Sequence, residues 1–252
     1  TDLPAPSLGE GTLCIDSGFK TNRDGFSFAN WGRSLAADQN VTTQTFIDLF
    51  GHNAVCVPGT ATSCIMRPRT VEALYEWNAA LAGGRCEGLA ALSVRMFLGI
   101  DTASDFDKSA TTTASLSKTS AALNSAVIYW WATQFLDEVS GPAATSRELS
   151  PLQLVDQLVQ GLAHSTGYTL GLYTATTGHA VTPFAVTKRG NNYVVHVYDN
   201  NFPNVRREVL VDGSKNTWSY QGAETVAGTP IDWSGTTGTF ELTPMAPRQG
   251  PF

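Results

Sequence analysis

The stretch Gly83-Gly84-Arg85-Cys86-Glu87-Gly88-Leu89-Ala90-Ala91-Leu92-Ser93 places a glycine pair and a cysteine at the mouth of a helix. Leu89, Leu92 and Met96 recur at helical spacing with small or helix-tolerant residues between them, which puts Cys86 in the first turn. Unpaired N–H groups at a helix N-terminus carry partial positive charge, and that favours the nucleophilic thiolate over the thiol. Gly83 and Gly84 permit backbone angles that other residues resist and leave open space in front of the sulfur. The competing reading makes Cys86 a small core residue of an Ala/Leu-rich helix, or half of a disulfide.

Composition narrows the classes. With 252 residues, 42% of them hydrophobic, the chain can bury a full core, and we read it as one domain of two lobes. A formal net charge of -6 without any Lys/Arg run argues against nucleic-acid binding by a basic surface. No apolar run reaches the length of a membrane span, and the opening at Thr1 with Pro4 and Pro6 is expected of a mature, processed chain. The low charged fraction, 15%, beside abundant Ser, Thr, Ala and Gly fits an exported protein, and a monomer is expected.

Of the four cysteines, Cys56 and Cys64 bracket the turn-rich loop Val57-Pro58-Gly59-Thr60-Ala61-Thr62-Ser63, which predicts a Cys56–Cys64 disulfide and an oxidising compartment. Cys14 and Cys86 remain. Their pairing would remove the nucleophile. No spacing resembles a zinc site, and neither metal nor cofactor is expected.

Along the chain, residues 1–34 read as an irregular arm pinned to the core by Phe26, Phe28 and Trp31. Thr43 is the expected cap of a short helix ending at Gly51, and a second helix is expected after Thr70, with Val71, Leu74, Trp77 and Leu81 on one face. Residues 102–120 read as a Ser/Thr/Ala-rich connector, residues 121–139 as one helix, and Ser150-Pro151-Leu152-Gln153 as the capping box of another. After Gly167 the texture turns β-branched and aromatic, which predicts strands over residues 168–174, 179–187, 193–199, 205–211 and 239–242 and a hairpin at 188–192. The expected class is α+β: a helical lobe over residues 1–165 and an antiparallel sheet lobe over 166–252, with a cleft between them.

The strand half carries Gly178-His179-Ala180-Val181 and Tyr198-Asp199-Asn200-Asn201-Phe202-Pro203. If these strands pair through the 188–192 hairpin, His179 lies beside Asp199, whose carboxylate can fix the tautomer of an imidazole that holds a thiolate ready for acyl transfer. Asn200 and Asn201 are alternatives to Asp199.

This order of glycine pair, helical Cys, strand-start His and Asp-Asn-Asn at the next strand end, over residues 70–212, resembles the papain-like cysteine peptidase superfamily, especially its bacterial members whose triad closes with Asp. The resemblance implies a nucleophile Cys86 on the helical lobe, His179 as general base and acid, Asp199 as orienting residue and a peptide or protein substrate in the cleft. Papain itself has Gln six residues before its Cys, where this chain has Ala80. Asn78 is the nearest side-chain candidate for the oxyanion donor, beside the Cys86 N–H. The expected activity is peptide hydrolysis through a thioester by a secreted enzyme. Capture of the thioester by an amine, as in a transglutaminase, and a non-catalytic surface module with Cys86 tied to Cys14 are the alternatives. His52, His164 and His196 read as structural, Trp77, Trp130 and Trp131 as core, and Trp218, Tyr220 and Trp233 as lining the cleft or covering the sheet edge.

Overall fold

The computed structural model describes residues 11–32, 39–59, 63–226 and 229–250. Pro4, Pro6 and Thr60 to Thr62, read above from the sequence, lie outside these. A first strand β1 (Thr12–Asp16) precedes helices α1 (Thr43–Phe50), α2 (His52–Val55), α3 (Pro68–Leu81), α4 (Cys86–Phe97), α5 (Ala103–Phe106), α6 (Ala121–Ala132), α7 (Asp137–Arg147) and α8 (Pro151–Ala163). Strands β2 (Tyr168–Tyr173), β3 (Gly178–Arg189), β4 (Asn192–Tyr198), β5 (Arg206–Asp212), β6 (Thr217–Val226), β7 (Thr229–Gly235) and β8 (Phe240–Pro244) follow. The protein is α+β, with one sheet in the order β7-β6-β5-β4-β3-β2-β8 and β1 added along β3. All these strand pairs are antiparallel.

Local chemistry explains the element ends. Ser150 caps α8, Gln153 closes the capping box and Pro151 occupies the first turn, where its missing N–H costs nothing. At α1 the cap is Thr42 rather than Thr43, because the Thr42 hydroxyl accepts from Thr45 N–H while the Thr45 side chain returns the bond. Helix α3 starts at Pro68, earlier than expected, for the same reason that Pro151 suits α8. The single helix expected over 121–139 is two. A 3₁₀ turn at Thr133–Phe135 and extended backbone at Leu136 end the first, and Asp137 and Glu138 open α7, which Gly141-Pro142 disguise in the sequence. Residues 102–120 are more than a connector: α5 and a 3₁₀ turn at Thr113–Ser115 bury Ala103, Ala110 and Leu116 against Leu89, Leu123 and Val127.

Two packing layers fix α4 in place. Its residues Glu87 to Arg95 are all buried. Gly88 allows α6 to approach, since a Cβ there would collide with the Val127 carbonyl and the Trp131 backbone. On the other side, Ser93 Oγ lies 3.0 Å from Thr182 Oγ1, and that hydroxyl donates to the Ala90 carbonyl at 3.3 Å, tying α4 to β3. Glu87 accepts from Thr169 of β2 at 2.9 Å and pairs with the buried Arg248. Beneath, Leu154 and Leu158 of α8 pack on Leu170, Val181, Val195, Val209, Trp218 and Phe240 of the sheet. Each fully buried Leu or Val there contributes on the order of 1.5–3 kcal/mol. The arm docks as expected: Phe26 is buried against Leu89 and Leu92, with Phe28 and Trp31 packed beside it.

Cys56 and Cys64 form a disulfide, and Cys14 and Cys86 are both free. Cys14 sits on β1, whose neighbours Leu13 and Ile15 pair with Thr187 and Val186 near the far end of β3. That is seven or more residues from His179, roughly 20 Å or more along a strand. No helix among the described residues is long and apolar enough to cross a membrane.

Candidate active site

Three backbone decisions bring the site together. Gly84, at φ +139°, occupies a conformation that side-chain-bearing residues rarely adopt, and a Cβ on it would lie 2.8 Å from Asn30 Nδ2. It delivers Arg85 as the cap residue and Cys86 as the first residue of α4. His179 is the second residue of β3. The β3–β4 register pairs Thr182 with Tyr198, so Asp199, one residue past β4, falls beside the start of β3.

The side chains complete what the register allows. His179 Nε2 lies 2.7 Å from Asp199 Oδ1, and both side chains are buried. Cys86 acts electrostatically on the same imidazole and adds to what raises its pKa. With Nε2 engaged by Asp199, Nδ1 is the nitrogen left for the thiol. Burial alone would push the His179 pKa down, but the Asp199 charge and hydrogen bond, joined by Cys86, raise it to about 10. Burial likewise works against ionised Asp199. The His179 charge and hydrogen bond, the Tyr220 hydroxyl and the Asn201 N–H outweigh it and hold the carboxyl below its ordinary value. The Asn201 N–H donates to Oδ1 at 2.8 Å and Tyr220 donates to Oδ2.

Cys86, His179 and Asp199 are thus brought together. Asn78 is not: its Oδ1 accepts from Val41 N–H at 2.9 Å, and its amide donates to the Val41 and Leu74 carbonyls, both at 3.0 Å. Both amide hydrogens are committed to carbonyls within the structure, to Val41 and Leu74, rather than to the site. The amide at the mouth of α4 is Asn30, in the arm. Its Oδ1 accepts from Arg85 N–H at 2.8 Å, its Nδ2 donates to Asn201 Oδ1 at 3.1 Å and its own N–H donates to the Asn200 carbonyl at 2.7 Å. Arg85 is fully buried and donates to the carbonyls of Trp31, Gly32 and Gln39, with its guanidinium 4.8 Å from the Trp31 ring centre. Desolvation lowers its pKa to about 10.

Tyr220, expected to line the cleft or cover the sheet edge, instead bonds the Asp199 carboxylate directly. Tyr220 and Trp233 are register partners on β6 and β7, and the Trp233 ring stands edge-on to His179 with centroids 6.5 Å apart. Nothing in the Gly/Ser/Thr-rich tail marked this hairpin except its aromatic residues. His196 is fully buried, with Nε2 3.0 Å from Thr187 Oγ1, and His164 ends α8 with Nδ1 2.7 Å from the Gln160 carbonyl, so both hold structural places. His52, Cys56 and Cys64 bring possible metal-ligand atoms within 4.8 Å of one another, but the two sulfurs are bonded to each other. A cavity of about 310 Å³ lies at the opposite end of α4, among Val94, Phe97, Leu98, Leu162 and Phe184, away from Cys86.

A cysteine at a helix start, an imidazole against it and a buried carboxylate behind the imidazole can generate a nucleophile and shuttle one proton. Comparison of the chain with family models, curated proteins and solved structures finds no match.

Proposed function

We propose that the protein is a papain-like cysteine hydrolase that cleaves peptide bonds. The observation that carries this reading is the His179 imidazole bonded through Nε2 to buried Asp199, with Cys86, the first residue of α4, close enough to act on the same ring electrostatically. The substrate would cross the boundary between the helices and the sheet at that point.

In this reading the Cys86 thiolate attacks the carbonyl carbon, and the oxyanion is met by the Cys86 N–H, which as a first-turn group has no intrahelical acceptor, and by Asn30 Nδ2. His179, protonated, gives its proton to the leaving amine as the C–N bond breaks and a thioester forms. It then takes a proton from water, whose oxygen attacks the thioester; the C–S bond breaks, releasing the acid and restoring the Cys86 thiolate beside protonated His179. Asp199 holds the ring and stabilises the imidazolium throughout. Secretion as a monomer fits the Cys56–Cys64 disulfide and the acidic, charge-poor composition.

The test is incubation with a mixed peptide library, read by mass spectrometry, alongside Cys86→Ser. New termini that appear only with the wild-type chain support the reading. Products carrying an added amine instead of water assign the amine-acceptor alternative, and no product of either kind contradicts an acyl-transfer enzyme.

A further inference from the structure

We propose that Asn200 is a positioning residue that sets the Cys86 thiol against the His179 ring; the assignment rests on the proposed function. Asn200 is fully buried, and its side-chain amide donates to two carbonyls at once, Cys86 at 3.0 Å and Ala180 at 3.0 Å. One is the nucleophile's own residue, and the other adjoins His179. Its backbone carbonyl accepts from Asn30 N–H, so the arm that carries Asn30 is fastened to the same residue.

The fold explains why an amide stands there. Strand β4 ends at Tyr198 opposite Thr182, so beyond that point the start of β3 has no β4 partner. The Asn200 amide takes over from the ladder, spending one hydrogen on β3 and the other on the first turn of α4. Its Oδ1 is buried without a partner among the described residues, a costly arrangement for a group whose purpose is stability alone. An aspartate would set a carboxylate against two carbonyl oxygens, and an apolar residue would remove this donor from both carbonyls. Small displacements between a nucleophile and its base cost rate steeply, which gives this bridge its consequence.

The experiment uses the full chain with Asn200→Ala, Asn200→Ser and Asn200→Asp, each first checked for native near-UV circular dichroism and cooperative melting. Cys86 alkylation by iodoacetamide is followed from pH 5 to 10 by peptide mapping, with exposed Cys14 in the same chain as internal reference. Wild-type Cys86 is expected to react at pH 6 at least tenfold faster than Cys14. The folded variants are expected to lose at least tenfold at pH 6, to rejoin wild type above pH 9, and to lower kcat with KM unchanged. Folded variants with the wild-type pH profile overturn the assignment, and so does failure of all three to fold, which makes Asn200 structural only. A wild-type Cys86 that follows the profile of Cys14 overturns the proposed function itself, and this assignment with it.

Discussion

Tyr220 donates its phenolic hydrogen bond to Oδ2 of Asp199, the carboxylate whose Oδ1 holds His179. Burial, reinforced by the Asp199 charge, raises the Tyr220 pKa, so the phenol keeps its proton and remains a donor. Arg207 Nε in turn donates to the Tyr220 oxygen at 3.3 Å. A strand that its composition left unannounced therefore supports the carboxylate of the candidate triad. Tyr220→Phe removes one hydrogen bond to a charged group, worth ~1.5–3 kcal/mol. The expected result is a ~10–100-fold loss in kcat/KM with the melting temperature lowered by only a few degrees, measured by peptide hydrolysis and calorimetry.

The same carboxylate gives a pH-dependent stability. His179 is raised to about 10 from an ordinary value near 6.5, so its contribution is fully present below that ordinary value and is lost as pH rises through 10. Asp199 is held below its ordinary value, so its contribution is present above ~4 and is lost as the pH falls further. Asp199→Asn should therefore cost most between pH ~4 and 6.5, on the order of 3 kcal/mol for a broken buried pair. Urea unfolding at pH 5.5 and pH 10 checks this: a loss that shrinks at pH 10 is expected, and equal losses contradict the assignment.

His196 predicts the opposite limb. Burial lowers its pKa to about 4 despite nearby Glu208, so the unfolded chain binds a proton near pH 6.5 that the native chain refuses until about 4. Stability should fall as pH drops across that window. His196→Phe, beside Phe184, removes this term while sacrificing the bond to Thr187, ~1 kcal/mol at pH 7. Melting temperatures at pH 7 and 4.5 should lie closer together in the variant than in wild type.

Asn78→Ala separates architecture from chemistry. It deletes three hydrogen bonds that hold the chain at Val41 and within α3, and should destabilise by ~1–3 kcal/mol. The rate of Cys86 alkylation at pH 6 should stay within twofold of wild type in the folded fraction. A tenfold fall would return Asn78 to the site.

What the sequence reveals follows the physics of each signal. The turn of Gly83-Gly84, the apolar period of Leu89 and Leu92 and the capping box at Ser150 are local, and they place α4 and α8 to within a residue. Cys86, His179 and Asp199 are legible as a candidate cluster because a thiol, an imidazole and a carboxylate are chemically distinctive and because one hairpin sets the register between β3 and β4. Asn30 is not legible, and Asn200 reads only as an alternative to Asp199. An asparagine's role depends on what its amide meets, and Asn30 meets Arg85 and Asn201 from 55 and 171 positions away. Proximity along the chain made Asn78 look like the donor, whereas long-range packing assigns its amide to Val41. Helix α7 and strands β6 and β7 stay hidden because Gly141-Pro142 and a Gly/Ser/Thr-rich composition mask weak periodicity that tertiary pairing overrides.

The most direct test of the central claim is labelling of the native chain at pH 6 with an epoxide-type thiol peptidase inactivator, with peptide mapping of the adduct and His179→Ala as control. An activated nucleophile predicts one adduct, on Cys86 and not on exposed Cys14, and its disappearance in the His179 variant. Equal labelling of Cys14 and Cys86, or labelling of Cys86 that persists without His179, would contradict it.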